Sequence, residues 1–237
     1  MKRTVQTKTI SLVISIICLI ISVLTSAFDG FTIGDFGICK GSSILSRLLY
    51  SFFHASIPHA LINCWCLLSI AFLYDLSLTS LFIAYITAIT FPIDTLATAF
   101  PAASPATAFP AASPATAFPI NLPALVLGGF PAETPTVGLS AVCFSLLGQV
   151  SFQVKRKCLF HVWVISFIAI GFILPPLCSV CGYAIATPNN LLHIYCYVAG
   201  LFVGFLNSPA NESHHARMNG REQRRVITDN SPAHEEK

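Results

Sequence analysis

The amino-acid sequence predicts an all-α membrane protein with six membrane-spanning helices and both termini in the cytoplasm. Of its 237 residues, 54% are hydrophobic and 10% are charged, whereas a soluble domain typically carries about 25% charged residues. The charges are clustered and leave long uncharged windows between them. These observations place the chain in the membrane class, and its net charge of +3 gives no reason to expect a nucleic-acid partner.

Six apolar windows are candidates for the membrane spans. Four of them carry no charge, and they are residues 9–28, 76–93, 136–154 and 158–183. Each can cross a bilayer core of about 30 Å at about 1.5 Å per residue. Two further windows, residues 57–74 and 190–206, are as apolar but contain histidine and asparagine. The first window could be a signal peptide, but its twenty uncharged residues exceed the usual ~7–15, which favours a retained span.

The distribution of lysine and arginine predicts the orientation of the bundle. With the N-terminus inside, only Lys40 and Arg47 of the 13 lysines and arginines fall in outer loops, which is a clear positive-inside signal. Residues 1–8 are then a cytoplasmic N-terminus, residues 9–206 the six-span core, and the polar residues 207–237 a disordered cytoplasmic tail. Residues 44–53 are predicted to lie in the outer interface, with Arg47 at the lipid headgroups.

An outer loop at residues 95–135 contains a proline- and alanine-rich repeat. The sequence ATAFPAASP occurs twice in full from residue 97 and then begins a third time. Prolines recur there every four or five residues, and each removes a helix donor and clashes with the preceding turn. We therefore predict an extended, polyproline-like loop rather than a span. The repeat has two interpretations, a substrate-docking flap and a duplicated segment without a role, and we favour the second.

The nine cysteines give no sign of a metal site or a cofactor. Most lie inside the predicted spans, where cysteine behaves as a small apolar residue. Cys178 and Cys181 lie near an outer membrane surface, where an oxidising compartment could join them to each other or to Cys39.

Polar residues are concentrated near the outer ends of the second, fourth and sixth predicted spans. His59, Ser140 and His193 each lie within about one turn of the outer start of a span, with Ser140 predicted one turn inside the fourth helix. One turn rises about 5.4 Å, so the three side chains should share one depth. Each residue alone is more typical of helix packing or of a transport path, but the combination predicts a common site.

This set of side chains fits acyl transfer, which needs a nucleophile, a base and donors for an oxyanion. Ser140 would attack a peptide carbonyl and His193 would accept its proton, and the absence of a nearby carboxylate favours a dyad. His59 and Asn63, which share a helix face below His54, would support the oxyanion together with the Ser140 amide. Gly138 would let the backbone bend, and Phe144 would support the imidazole of His193. A small-residue stripe would bring the sixth span close to the fourth, and its members are Cys196, Gly200 and Gly204.

These residues resemble the signatures of the rhomboid family of intramembrane serine proteases. The resemblance lies in His54-x4-His59-x3-Asn63, in Gly138-x-Ser140 and in His193 followed by two glycines. It implies a six-helix bundle with an outward-facing cavity, a Ser140–His193 dyad, an oxyanion hole that includes His59 and Asn63, and no metal or cofactor. The implied partners are the lipid bilayer and membrane-anchored protein substrates, and the size suggests a bacterial plasma membrane. The sequence departs from the family at Ala141, at Ser46-Arg47 and at Cys196.

Two other classes of function fit parts of the pattern. A catalytically inactive rhomboid-like protein would bind transmembrane clients without cutting them. A proton-coupled transporter could use His59 and His193 as relays, but we would then expect polar residues to continue towards the inner face, whereas those of the predicted spans stop at the outer third. The sequence predicts neither a substrate nor an oligomeric state.

Overall fold

The computed structural model describes residues 2–28, 36–95, 135–180 and 189–208, and these residues are mostly α-helical. The helices are α1 Lys2–Ala27, α2 Ile44–Leu49, α3 Ile57–Leu73, α4 Leu78–Ile89, α5 Ser140–Val150, α6 Lys157–Val180 and α7 Asn190–Leu206. Short 3-10 turns, Tyr50–Phe52 and Ser151–Gln153, follow α2 and α5. The repeat, Cys181 and the predicted C-terminal tail from residue 209 onward lie outside the described residues.

Three helices in the described ranges are long and apolar enough to cross a membrane, namely Val5–Ala27, Leu78–Thr95 and Lys157–Leu174. A fourth candidate span is obtained if Ile44–Phe52 and Ile57–Leu73 are counted together as one span, with a bend of 83° between them. The helix α7 is apolar but shorter. Each of the six predicted windows therefore contains a helix, while the count of six spans stays a prediction.

Serine and asparagine side chains set the starts of several helices. The side chains of Ser43, Ser56 and Ser77 accept a hydrogen bond from the backbone amide three residues later, at the starts of α2, α3 and α4. Asn189 does the same for Leu192 in α7. Such caps satisfy amides that have no partner within the helix, so these four boundaries follow from local sequence.

The first helix begins at Lys2, several residues before the predicted start of the span at residue 9. It packs against α3, and the thiol of Cys64 donates to the backbone oxygen of Ser15 at 3.5 Å. The side chain of Cys18 on the same helix is fully buried. These contacts make α1 part of the helix bundle, while its retention as a membrane span stays a prediction.

The helix α5 forms the centre of the bundle, and every residue from Ala141 to Val150 is buried. The helix α7 packs against it because glycines bring the two backbones together. A Cβ on Gly200 would collide with the backbone oxygen of Ser145, and one on Gly204 would lie 2.6 Å from the oxygen of Gln149. The predicted stripe of Cys196, Gly200 and Gly204 thus faces α5, and Cys196 is fully buried.

One of the predicted disulfide pairings is absent. Cys39 and Cys178 are bonded neither to each other nor to another cysteine among the described residues. The remaining pairings involve Cys181, whose position lies outside the described residues.

Arg47 has partners within the protein, and its predicted position at the lipid headgroups stays a prediction. Its guanidinium donates to the backbone oxygen of Phe91 at 3.0 Å and contacts the carboxylate of Asp94 at 2.5 Å. The same carboxylate accepts a hydrogen bond of 2.7 Å from the amide of Gly41. Because the bent pair of α2 and α3 brings α2 beside the end of α4, the guanidinium reaches these partners. Asp94 therefore ties the segment before α3 to the end of α4.

We expect the substitution Asp94→Asn to lower the stability of the protein by about 1 kcal/mol. Charge-assisted hydrogen bonds contribute about 1.5–3 kcal/mol, but the side chain of Asp94 is 54% exposed, and solvent screens such pairs. Thermal unfolding of the purified protein in detergent measures the change. Asp75→Asn is the matched control, because Asp75 forms no ion pair among the described residues. An equal effect of both substitutions would contradict the role of the Arg47–Asp94 pair.

Candidate active site

The structure brings Ser140 and His193 together although they are 53 residues apart. The hydroxyl oxygen of Ser140 lies 2.9 Å from Nε2 of His193, which is hydrogen-bond distance. Ser140 is half-buried, and His193 is only 7% exposed. The ring of His193 stacks on the ring of Phe144, with centroids 4.4 Å apart and an angle of 22° between the planes. Phe144 therefore fixes the orientation of the imidazole beside the hydroxyl.

Ser140 is the first residue of α5, and the prediction that it lies one turn inside the helix is wrong. The three residues before Leu139 are not helical, because Gly138 has a φ of +121°. A residue with a side chain rarely adopts this φ, so glycine ends the extended segment and turns the chain into the helix. The positive end of the helix dipole consequently lies at the serine.

Backbone hydrogen bonds hold the segment before Ser140 in place. The amide of Gly138 donates to the oxygen of Tyr50 at 3.0 Å, and Thr136 exchanges two backbone bonds with Ile38 at 2.9 and 3.0 Å. The amide of Leu139 donates to Nε2 of His54 at 3.2 Å. His54 lies before the first turn of α3 rather than on its face. Residues 38–54 thus position the segment before the nucleophile, and His54 does so by accepting the hydrogen bond of the Leu139 amide.

His59 and Asn63 lie directly beside Gly138. A Cβ on Gly138 would lie 2.9 Å from Cε1 of His59 and 3.2 Å from Nδ2 of Asn63. Glycine at this position therefore leaves room next to the two side chains. Nδ2 of Asn63 is buried and has no hydrogen-bond partner among the described residues. Since a buried unpaired donor is costly, this amide is available to a group that enters the site.

The start of α7 carries two asparagines that the motif analysis did not single out. Nδ2 of Asn189 donates to the hydroxyl of Thr136 at 3.2 Å, which ties α7 to the segment before the nucleophile. Asn190 is 6% exposed and lies against α6, where a Cβ on Gly171 would be 2.5 Å from its Oδ1. An asparagine before an apolar run is a helix-start signal, so Asn189 could have been found from the sequence.

Residues 42–210 match the family model described as the Rhomboid domain. The chain belongs to the rhomboid family. Members of this family are usually intramembrane serine proteases that act on membrane proteins, and the assignment makes this chain an integral membrane protein. No curated protein and no solved structure matches the chain.

The matched rhomboid region contains every residue of the predicted site, from His54 to Gly204. It excludes α1, which lies entirely before residue 42. Within the described residues, no group of three or more histidine, cysteine or acidic side chains could hold a metal ion. The absence of a cofactor stays a prediction.

The prediction that polar residues stop in the outer third is wrong for α5. Ser145 and Gln149 are buried further along this helix, and Nε2 of Gln149 donates to the backbone oxygen of Ser80 at 3.2 Å. Neither side chain titrates, so they add no proton relay. His161 bonds to the hydroxyl of Tyr197 at 2.6 Å and is not part of the Ser140–His193 pair.

Proposed function

We propose that this rhomboid protein is an intramembrane serine endopeptidase that cleaves peptide bonds in or near transmembrane segments of membrane-anchored proteins. The observation that carries the proposal is the distance of 2.9 Å between the Ser140 hydroxyl and Nε2 of His193. An imidazole at hydrogen-bond distance activates a serine, which is otherwise a weak nucleophile. The family assignment supports the same reaction class.

In the proposed reaction, the Ser140 oxygen attacks the peptide carbonyl carbon while Nε2 of His193 accepts the hydroxyl proton. The tetrahedral intermediate then collapses as the bond to nitrogen breaks, and His193 returns the proton to the leaving amine. Water activated by the same imidazole hydrolyses the acyl-enzyme and restores Ser140. The stacked ring of Phe144 holds the imidazole in place, so an orienting carboxylate is not required.

The proposed oxyanion hole combines the Ser140 amide with the side chains of His59 and Asn63. The first amides of a helix have no partner within it and lie at the positive end of its dipole. Nδ2 of Asn63, which lies beside Gly138, is a donor without a partner among the described residues. A single donor of this kind typically contributes about 10²–10³-fold to turnover, so the developing negative charge would have three donors of unequal strength.

We further propose six spans with both termini in the cytoplasm, as the distribution of lysine and arginine indicates. Ser140, His59 and His193 all lie at or near the N-terminal ends of α5, α3 and α7. With that topology, the dyad lies at a shallow depth on the outer side of the membrane. A bacterial plasma membrane is the proposed location.

Labelling by a serine-reactive fluorophosphonate tests the proposed activity. The purified protein in detergent should become labelled, and both Ser140→Ala and His193→Ala should abolish labelling. Ser145→Ala and His161→Ala are matched controls, because within the described ranges the Ser145 hydroxyl has no partner and His161 bonds to Tyr197 rather than to Ser140. Both controls should label as the unchanged protein does.

Two results would contradict the proposal. Labelling that survives Ser140→Ala would show that another residue reacts. No labelling of folded protein would instead favour an inactive rhomboid-like protein that binds transmembrane clients without cutting them.

Deletion of residues 97–114 should leave fluorophosphonate labelling within about twofold of the full-length value. The deletion removes two repeat units, and the described segments that position Ser140 are left intact. Labelling rate and thermal stability of the deletion variant, compared with those of the full chain, check this expectation. A folded deletion variant that no longer labels would show that the repeat contributes to the site.

A further inference from the structure

Asn189, directly before α7, uses both ends of its side-chain amide. Its Oδ1 accepts a hydrogen bond of 3.0 Å from the amide of Leu192, which caps the helix. Its Nδ2 donates to the hydroxyl of Thr136 at 3.2 Å. The residue is only 3% exposed, and the protein interior strengthens both bonds relative to water. One buried amide therefore joins the start of α7 to the segment before α5.

The two residues joined by this amide occupy equivalent positions relative to the dyad. Thr136 precedes Ser140 by four residues, and its backbone is paired with that of Ile38. Asn189 precedes His193 by four residues, and its backbone oxygen accepts a bond of 3.2 Å from the amide of that histidine. The dyad bond and the Asn189–Thr136 bond thus close a ring that contains both short stretches of chain.

The close packing of α7 against α5 lies further along the helices than the dyad. The glycine contacts are at Gly200 and Gly204, and Gly200 follows His193 by seven residues, which is about 10 Å along the helix. Among the described residues, two side-chain hydrogen bonds join residues 136–150 to residues 189–206, namely the dyad bond and the one from Asn189. The bond from Asn189 is therefore the polar contact that fixes the start of α7 when the serine is engaged elsewhere.

We propose that Asn189 is a positioning residue, which keeps the imidazole of His193 within reach of Ser140 by holding the start of α7 to Thr136. The inference rests on the proposed proteolysis. In the acyl-enzyme the serine oxygen is esterified, so the dyad bond is absent while the imidazole must still activate water. The Asn189–Thr136 bond persists in this state because it involves no reacting atom. A displacement of about 1 Å in such a site can cost about 10²-fold in rate.

Fluorophosphonate labelling tests this role when its maximal rate and its half-saturating concentration are measured separately. Asn189→Ser keeps an oxygen that can cap α7 but is too short to reach Thr136, and Thr136→Val removes the acceptor on the other side. Each variant should label at least tenfold more slowly at saturation, with a half-saturating concentration within about twofold of the unchanged value. Thr136→Ser retains the hydroxyl and should keep at least half of the unchanged rate.

The double variant Asn189→Ser/Thr136→Val distinguishes a shared bond from two independent effects. If the two residues act through their hydrogen bond, the double variant should label no more slowly than the slower single variant. Asn207→Ser is the matched control, since Asn207 is exposed at the other end of α7, and it should label as the unchanged protein does. Normal labelling of Asn189→Ser, or a loss in the double variant equal to the product of the single losses, would overturn the proposal.

Nitrogen NMR of the full-length protein with isotope-labelled histidine gives a readout that does not depend on activity. The ring signal of His193 is assigned by its loss in His193→Ala, and Ser140→Ala shows how it moves when the dyad bond is absent. Asn189→Ser should shift this signal in the same direction, whereas Asn207→Ser should not. Such a shift in a protein that never labels would contradict the proteolysis but not the positioning. Labelling of the unchanged protein without a shift in Asn189→Ser would contradict the positioning alone.

Discussion

Replacing His193 by alanine should lower the turnover of a membrane-anchored substrate by about 10²–10⁴-fold, the usual contribution of a general base. Nε2 of His193 lies 2.9 Å from the Ser140 hydroxyl, and no other imidazole is hydrogen-bonded to this serine in the described residues. The Michaelis constant should change little, because the imidazole acts on the serine rather than on the bound substrate. Initial rates in detergent or vesicles measure both quantities.

His161→Ala is the matched control for this experiment. It removes an imidazole from the same bundle, but one whose partner is Tyr197 and not Ser140. We expect turnover within about threefold of the unchanged protein after correction for the folded fraction. Equal losses in the two variants would mean that His193→Ala acts through folding, and the proposed dyad would then lose its kinetic support.

Gly200→Val should be the most disruptive packing substitution in the rhomboid core. A Cβ at this position would overlap the backbone oxygen of Ser145, and backbone cannot move aside as a flexible side chain can. Overpacking of this kind costs about 1–3 kcal/mol and sometimes more. The helices α5 and α7 must separate to accommodate it, which moves His193 away from Ser140. We therefore expect a lower unfolding temperature and loss of at least 90% of fluorophosphonate labelling.

Val198→Ile is the control for the effect of added volume on α7. Val198 is 56% exposed, so an extra methylene there meets no neighbouring backbone. Its unfolding temperature and labelling should equal those of the unchanged protein. If Gly200→Val also labels normally, the close approach of α5 and α7 does not set the distance between the dyad residues.

Local sequence was sufficient to predict where apolar helices occur. The windows 57–74 and 190–206 correspond closely to α3 and α7, because hydrophobic runs with serine or asparagine caps define their own ends. The residues of the candidate site could also be identified from the sequence. Polar side chains in membrane-spanning helices are energetically costly and therefore few. The grouping of Ser140 with His193 rested on their similar depth in the predicted spans, on the groups that acyl transfer needs and on the resemblance to the rhomboid signatures.

Features that depend on contacts between distant segments were not predictable. Apolar composition continues from residue 136 into α5, so nothing in hydropathy revealed that Gly138 delays the helix until Ser140. The pairing of Arg47 with Asp94 depends on the 83° bend between α2 and α3, which sequence alone does not give. Gly148 was overlooked for the same reason, although a Cβ there would collide with the backbone of Tyr197.

The two ends of the repeat-containing segment are fastened to one short stretch of chain. Asp94 bonds to Gly41 and Arg47, while Thr136 pairs with Ile38. These bonds fix the distance between the two ends of the segment, whatever its length. Each doubling of the length of a loop raises the free energy of loop closure by only about 0.6 kcal/mol. A tandem duplication in this segment therefore changes the free energy of unfolding very little. The same position should accept an inserted reporter domain.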